Sequence, residues 1–196
     1  MINGKTELEY YMKCDRIAIK RNDDRMRIIG DSIWKYLIAL RKYEYYINCK
    51  PKSIFFYLAK IRYSMLVKKT GFHIPPNTCG PGLSLAHLGS IIINGNSRLG
   101  SNCRIQTGVT IGTTNGSNEA PKIGNNVFLG DGAKIIGKIS VADNVAIGAN
   151  AVVVNSITEK CTSWGGVPAK KISNKGSSSN VIPATELVRN IVRKYK

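Results

Sequence analysis

Two histidines, His73 and His87, are the side chains of this sequence best suited to proton transfer near neutral pH. Imidazole titrates close to pH 7, so a histidine can take the proton of a hydroxyl group that is otherwise a poor nucleophile. The cysteines show no CxxC spacing and no recognisable base beside them, which argues against a covalent thiol intermediate. Two histidines are also too few for a three-histidine zinc centre in one chain, so we expect no metal. The cysteines are Cys14, Cys49, Cys79, Cys103 and Cys161.

The composition is strongly basic. The 196 residues include 29 Lys and Arg against 12 Asp and Glu, a formal net charge of +17. Such an excess suits nucleic acid, an anionic membrane or a phosphorylated cofactor. No apolar run approaches the roughly 20 residues of a membrane span, and the N-terminus lacks the apolar segment of a signal peptide. We therefore expect a cytoplasmic protein with reduced cysteines. Its basic charge is also compatible with a contact at the inner face of the membrane.

A six-residue period in the sequence indicates the fold that positions the two histidines. An aliphatic residue recurs every six positions, with one double step where Ser117 interrupts the series, and residues 113–120 are predicted to form an extruded loop. Helices and ordinary strands do not keep this period, whereas a β-helix does, because each coil buries the same positions against its neighbours. The aliphatic positions are Leu99, Ile105, Ile111, Ile123, Leu129, Ile135, Val141, Ile147 and Val153, and small or branched residues follow at Cys103, Val109, Val127, Ala133, Val145 and Ala151.

The repeat resembles that of the hexapeptide-repeat acyltransferases, and among them the serine acetyltransferases and related O-acetyltransferases of surface-polysaccharide synthesis. Three segments carry the resemblance: Leu-Ala-His at 85–87, Pro-Lys-Ile at 121–123 and Gly-Val-Pro-Ala-Lys at 166–170. It implies a mainly β fold, a left-handed parallel β-helix whose coils each contain three hexads. The expected organisation is an α-helical N-terminal region over residues 1–70, the β-helix over 71–172, and a linker with a short C-terminal helix over 173–196.

The N-terminal region is predicted to be helical from its apolar spacing and its capping residues. Thr6 and Asp31 are candidate caps of the first two helices, and Pro51 suits the first turn of the third. Aromatic and basic residues interleave here, which fits helices packed on the β-helix or on another subunit, or a peripheral contact with anionic lipid. No nucleic-acid-binding module is recognisable. The predicted helices cover residues 6–20, 32–48, 51–70 and 183–196.

The resemblance assigns the catalytic role to His87. It implies that His87 deprotonates the acceptor hydroxyl as this attacks the acetyl carbonyl, with direct transfer and backbone N–H groups stabilising the oxyanion. By its position His87 falls on the aliphatic phase of the repeat, where a hydrocarbon is expected. A backbone carbonyl, His73, Asn77 or a neighbouring chain's Glu119 could orient it, and the three side chains are also candidates for contacting the acceptor.

The resemblance also implies acetyl-CoA as donor, bound between adjacent β-helices of a homotrimer, or of two such trimers joined through the N-terminal helices. Small residues would let the pantetheine arm approach the backbone, and a lysine would contact the phosphates. The residues carried over by position are Gly112, Thr113, Thr114, Gly130, Asp131, Gly132, Gly148 and Ala149, with Lys134, Lys170 or Lys171 for the phosphates.

The acceptor is predicted from what is missing. Serine acetyltransferases carry charged residues at positions that here hold Phe72, Ala86 and the pair Glu119-Ala120. Loss of those charges predicts a neutral acceptor, a sugar hydroxyl of a capsular, exopolysaccharide or lipopolysaccharide unit. The alternative is a serine O-acetyltransferase of cysteine biosynthesis. A different class is a non-catalytic scaffold whose basic helices bind a membrane or a protein partner.

Overall fold

The structure, a computed structural model, describes residues 1–25, 27 and 29–194, and for 191–194 the backbone only. Three helices precede a stack of short strands, and a fourth helix follows it. No helix in the described part of the chain is both long and apolar enough to cross a bilayer. The helices are α1 (Lys5–Ala18), α2 (Ser32–Cys49), α3 (Ile54–Thr70) and α4 (Ala184–Lys194). The predicted residues 195–196 of the last helix lie outside the described residues.

α2 starts at Ser32 as predicted, whereas α1 and α3 start at other residues than predicted. α1 begins one position before Thr6, with Gly4 at the N-cap, because the Glu7 carboxylate in its first turn accepts the Asn3 N–H. It ends before Lys20, whose φ of 58° is left-handed.

Asp31 is the N-cap residue of α2, but its side chain makes no cap hydrogen bond. Its carboxylate pairs with Arg21 at 2.8 Å instead. α3 begins after Pro51, because the Ser53 side chain accepts the Phe56 N–H at 3.2 Å and supplies the cap.

Short strands build three sheets, which we call faces A, B and C. Face A contains β1, β3, β6, β9 and β12, face B contains β4, β7 and β10, and face C contains β2, β5, β8, β11, β13 and β14. The strands are β1 (Phe72–His73), β2 (Ser84–Leu85), β3 (Ile91–Ile93), β4 (Arg98–Leu99), β5 (Arg104–Ile105), β6 (Thr110–Gly112), β7 (Lys122–Ile123), β8 (Phe128–Leu129), β9 (Lys134–Ile136), β10 (Ser140–Val141), β11 (Ala146–Ile147), β12 (Val152–Val153), β13 (Ser163–Gly165) and β14 (Lys170–Ser173).

The chain visits faces A, B and C in turn, and neighbouring coils pair in parallel; β13 and β14 are antiparallel. The β-helix with N-terminal helices is thereby confirmed. All nine aliphatic positions of the repeat are buried, and Ile105, Leu129 and Ile147 stack in register on face C. At the corner before face C, Asn102, Asn126 and Asn144 have left-handed backbones. Their side chains are hydrogen-bonded to one another at 2.8 and 2.9 Å, forming an asparagine column.

α2 closes the open end of the first coil. Its residues Trp34, Tyr36, Leu37 and Leu40 are buried in the same core as the aliphatic ladder. Beside them Arg41 is fully buried and donates to the carbonyl oxygens of the first coil, at 2.9 Å to Cys79 and 2.7 Å to Gly80.

Arg41 also forms a buried ion-pair network. Its guanidinium lies 2.7 Å from Asp15 of α1 and 2.9 Å from Glu44 of α2. Asp15 in turn accepts the backbone N–H groups of Gly82 and Leu83, each at 2.8 Å. Two helices and the first coil are therefore joined through one side chain.

The C-terminal segment folds back along the asparagine column. The Ser177 N–H donates to the Asn144 carbonyl at 3.1 Å, and the Ser177 hydroxyl donates to the Asn126 carbonyl. Thr185 is hydrogen-bonded to Asn102 at 2.8 and 3.1 Å. α4 then packs on α1, where Ala184 and Val188 cover Cys14 and Ala18. We call residues 176–188 the return segment.

Candidate active site

His87 lies outside the aliphatic ladder, contrary to the phase predicted from the repeat. Leu85 takes the ladder position opposite Ile105, and His87 is exposed in the turn that follows. The cause is the length of this coil: Leu85 and Ile105 are 20 positions apart, whereas Leu129 and Ile147 are 18 apart. The two extra residues displace the imidazole from the core to the surface, where it can meet a substrate.

The turn that carries His87 is held against the neighbouring chain segments. The Ala86 N–H donates to the Ile105 carbonyl at 3.3 Å, and the Gly89 N–H donates to the Thr70 carbonyl at 3.2 Å. Gly89 has a φ of 144°, and a Cβ atom there would lie 3.0 Å from the Thr107 methyl group. Glycine is thus required for the turn to rest on the next coil.

The predicted site residues of the C-to-A corner stack beneath this turn. Backbone hydrogen bonds join successive coils, from Gly108 to Ser90 at 2.7 Å, from Gly132 to Thr107 at 2.8 Å, and from Asn150 to Asp131 at 2.7 Å. One edge of the β-helix therefore contains His87 together with Gly130, Asp131, Gly132, Gly148 and Ala149. We call residues 86–90, 106–108, 130–132 and 148–150 the His87 edge.

Glycine at position 130 is needed for the stacking of the coils. A Cβ atom on Gly130 would lie 2.7 Å from the Ala149 nitrogen and from the Gly148 carbonyl carbon. A Cβ atom on Gly148 would approach only the Trp164 carbonyl oxygen, at an ordinary 3.4 Å. Close coil packing explains Gly130, whereas it leaves room for a side chain at Gly148.

The three lysines predicted to contact the cofactor phosphates differ in burial and in their hydrogen bonds and ion pairs. Lys134 is half-buried and donates to the Gly108 carbonyl, which places its ammonium on the His87 edge. Asp131 on the same edge accepts the Thr107 hydroxyl. Lys170 is exposed at the start of β14, and the neighbouring Lys171 pairs with Glu159 at 2.5 Å.

Gly112, Thr113 and Thr114 belong to a different edge. They follow β6 at the corner from face A to face B, where the Gly137 N–H donates to the Gly112 carbonyl at 2.9 Å. The predicted loop over residues 113–120 projects from this corner, and its Glu119 pairs with Lys138 at 2.5 Å. One chain therefore does not bring these three residues to His87.

The remaining candidates lie apart from His87. Asn77 sits at the A-to-B corner of the first coil, where two side-chain amide hydrogen bonds of 3.0 Å join it to Asn48. His73 is exposed on the outer surface of face A, beside Ile92. Within the described residues the His87 ring forms no hydrogen bond or ion pair with any of them.

A cavity that the sequence did not reveal adjoins the His87 turn. Its volume is about 670 Å³, and it lies between the connection from α1 to α2 and face C. Ala86 and Leu88, which flank His87 in the chain, line it, as does Arg104. The opposite wall contains Arg21, Lys20, Asp23, Arg27 and Asp31.

Both signs of charge meet in this cavity. Arg21 lies 2.8 Å from Asp31 and 3.1 Å from Asp23, and its hydrogen bond lowers the pKa of Asp31 below the usual value. Arg104 Nη1 reaches the Asn180 carbonyl at 3.4 Å. Of the buried donors without an acceptor among the described residues, Arg104 Nε and Trp34 Nε1 belong to residues that line this cavity. The region can therefore hold a ligand that carries acceptor oxygens and a positive group.

Comparison with known proteins identifies the family. A model described as bacterial transferase hexapeptide (six repeats) matches residues 120–155. The serine acetyltransferase of Staphylococcus xylosus is 34% identical over 148 residues, 74% of this chain and 64% of that protein. The serine acetyltransferase of Helicobacter pylori is 35% identical over 117 residues, 58% of this chain and 68% of that protein. The chain thus spans about two thirds of the length of these relatives.

Solved structures agree with these relatives. The serine acetyltransferase of Brucella abortus has a TM-score of 0.70 at 27% identity, with 89% of this chain and 72% of that chain covered. A serine acetyltransferase solved in complex with CoA has a TM-score of 0.68 at 25% identity, with 86% and 71% covered.

These relatives show that the predicted glycan acceptor is wrong. That prediction considered only the charges missing at Phe72, Ala86 and Glu119-Ala120, whereas the cavity beside His87 gains charges from Arg104 and from the connection between α1 and α2. The predicted membership of an acyltransferase superfamily is confirmed. The chain belongs to the serine acetyltransferase family of the hexapeptide-repeat transferases.

Proposed function

We propose that this protein transfers the acetyl group of acetyl-CoA to the hydroxyl group of serine. The observation that carries the proposal is His87, exposed in a turn beside a charged cavity, in a chain of the serine acetyltransferase family. The catalytic unit is the β-helix of residues 71–172, with residues 1–70 and 173–196 as accessory regions. The family also supports a left-handed coil.

His87 acts as general base in this proposal. A neutral imidazole nitrogen takes the proton of the serine hydroxyl as its oxygen attacks the thioester carbonyl. Backbone N–H groups of the His87 edge stabilise the oxyanion. The new C–O bond remains when the C–S bond breaks, and the proton on His87 passes to the departing CoA sulfur. This proton transfer returns His87 to its neutral form, and no acyl-enzyme is needed.

Acetyl-CoA would lie along the His87 edge. Gly148, next to Ala149, leaves space there, and the Lys134 ammonium offers a charge for a phosphate, as Lys170 does at the last coil. Gly112, Thr113 and Thr114 occupy the other edge, so they reach the donor only if a neighbouring copy presents that edge. A homotrimer satisfies this requirement, because each interface joins two different edges. Two trimers joined through the helices would keep the same sites.

Serine would enter through the cavity beside Ala86. A free amino acid carries a carboxylate and an ammonium group, which need donors and acidic side chains respectively. Arg104 offers the donors, and Asp23 and Asp31 offer the acidic groups. The acceptor would then present its hydroxyl to the turn that carries His87.

The test is CoA release from acetyl-CoA in the presence of serine, with wild type, His87→Ala and His73→Ala compared. We expect His87→Ala to lower kcat by about 100- to 10,000-fold, because a general base contributes that much. KM for both substrates should change little. His73→Ala, an exposed histidine on face A, is the matched control and should stay within a few-fold of wild type. Near-normal turnover of His87→Ala, or no turnover of wild type on serine, would disprove the assignment.

A further inference from the structure

The outer side of α3 exposes a continuous apolar stripe. Ile54, Leu58, Ile61 and Met65 follow one another by four, three and four residues, so they share one side of the helix, and Tyr57 lies beside them. Each of the five is between 55% and 66% exposed. We call these five residues the outer α3 face.

The opposite side of α3 already has its partners. Tyr63, Leu66 and Val67 pack on the hydrophobic core, and the Tyr63 hydroxyl donates to the Ile74 carbonyl at 2.7 Å. Core packing therefore accounts for one apolar side of the helix and leaves the other unexplained. A helix that is apolar on two sides is typical of one that is covered on both.

The charged residues of α3 and of the turn before it are all basic. The sequence contains no Asp or Glu between Glu44 and Glu119. The exposed lysines of α3 and of the turn before it are Lys50, Lys52, Lys60, Lys68 and Lys69. These lysines lie at both ends of the helix and along it, so any occupant of the face must accept positive charge.

This charge pattern disfavours the outer α3 face of a second copy as the occupant. Two outer α3 faces in a symmetric pair would place Lys50 and Lys52 of one helix near lysines of the other, whichever way the helices run. Neither helix has an acidic side chain to offset the repulsion. An anionic lipid surface provides both an apolar layer for the stripe and negative headgroups for the lysines.

We propose that the outer α3 face binds the surface of an anionic phospholipid bilayer. α3 lies in the plane of the interface, with Leu58, Ile61 and Met65 in the boundary between headgroups and acyl chains. The Tyr57 ring, exposed at the edge of the stripe, suits the same boundary. The lysines contact the headgroup phosphates. The binding is reversible, since one face of a helix buries little area compared with a spanning segment.

The experiment is flotation of the full-length chain with vesicles of phosphatidylcholine alone or mixed with phosphatidylglycerol, at low and high salt. We expect wild type to float with the anionic vesicles at low salt and to be released by salt, because screening weakens the lysine contacts. A Leu58→Gln, Met65→Gln double variant should bind at least about tenfold more weakly. Lys60→Glu should bind at least about fivefold more weakly than wild type, because each basic residue near the surface contributes about that factor.

Matched controls change exposed residues elsewhere. Ile172→Gln removes another exposed apolar side chain and Lys175→Glu another exposed charge, and both should float like wild type. His87→Ala should also float, because lipid binding needs no catalysis, so failure of the acetyltransferase proposal would leave this result unaffected. The proposal is wrong if wild type ignores anionic vesicles. It is also wrong if the double variant floats normally, or if that variant instead reduces the mass of the protein in solution, which would make the face a subunit contact.

Discussion

Arg104 projects from face C into the cavity beside the His87 turn. It precedes the buried Ile105 on β5, so strand alternation directs its side chain to the outside of the coil. The neighbouring strand β2 places Ser84 opposite it, one residue before Leu85 and three before His87. Its guanidinium has a single long contact, with the Asn180 carbonyl, and a buried Nε without an acceptor. A carboxylate in the cavity would satisfy these donors.

Replacing Arg104 should therefore affect the acceptor more than the donor. We expect Arg104→Ala to raise KM for serine about 10- to 100-fold, because a hydrogen bond to a charged group is worth roughly 1.5 to 3 kcal/mol. KM for acetyl-CoA should stay close to wild type. Steady-state kinetics with each substrate varied in turn measure both values. Arg98→Ala, whose guanidinium binds the carbonyls of Gly95 and Ser97 on face B, is the control. Equal effects of the two variants on serine would contradict this role.

Between elements, the strongest connection is the buried network of Arg41, Asp15 and Glu44, which joins α1 and α2 to the first coil. Asp15 and Glu44 together hold the pKa of Arg41 well above its usual value despite burial. Burial raises the pKa of Asp15, and Arg41 opposes this effect. A network of this kind is costly to break from one side, because the partners remain buried and charged.

Arg41→Met should destabilise the protein by about 3 to 5 kcal/mol, since it leaves two buried carboxylates without their cation. Urea unfolding followed by circular dichroism measures the loss, with exposed Lys42→Met as the neighbouring control. Without Arg41 the folded-state pKa of Asp15 rises further above its unfolded value. The folded variant then binds more protons than the unfolded chain, so its stability relative to wild type should recover as the pH falls from 8 to 5. A loss below about 1 kcal/mol would contradict the role of the network.

The elements differ in how well the sequence specifies them. The six-residue period predicted the nine buried aliphatic positions from Leu99 to Val153, because each coil repeats the same three-sided path and aliphatic residues fill the stack. The period could not place His87, since an insertion of two residues in one coil has no periodic trace. The helix starts were predicted in part. Asp31 is the N-cap residue of α2 as expected, whereas α1 and α3 begin after Gly4 and Ser53 and not at Thr6 and Pro51.

At the scale of the whole molecule, the proposed cofactor site would need a neighbouring copy, because its residues lie on two edges of one chain. We expect the protein to have the mass of three 21.5 kDa chains in solution, measured by light scattering. Mixing His87→Ala chains with Thr114→Trp chains, which alter the exposed side chain at the other edge, should restore activity to about one quarter of the sites, because intact edges then meet at some interfaces. Each variant alone should be nearly inactive. A monomeric mass, or no activity after mixing, would contradict shared sites.

The wrong acceptor prediction shows that aligned positions do not include every charged residue near His87. The resemblance suggested His87 from its Leu-Ala-His segment, and the small residues of both edges from their positions in the repeat. The charges near His87 come from Arg21, Asp31 and Arg104, two of them in a connection that has no repeat and is brought to face C by the packing of α1 and α2. Only the fold places that connection at the site, so the missing charges at Phe72 and Ala86 were misleading.

The return segment changes how the stack of coils holds together. In a β-helix each coil contacts only its neighbours, so coils can come apart one at a time from an end. Residues 176–188 contact the coils at Asn144, Asn126 and Asn102 and then α1, and the contact between Thr185 and Asn102 spans 83 positions. Closing so long a loop is slow compared with forming local coils. We therefore expect the coils to form before α4 docks on α1, and this docking to join the coils into a single cooperative unit.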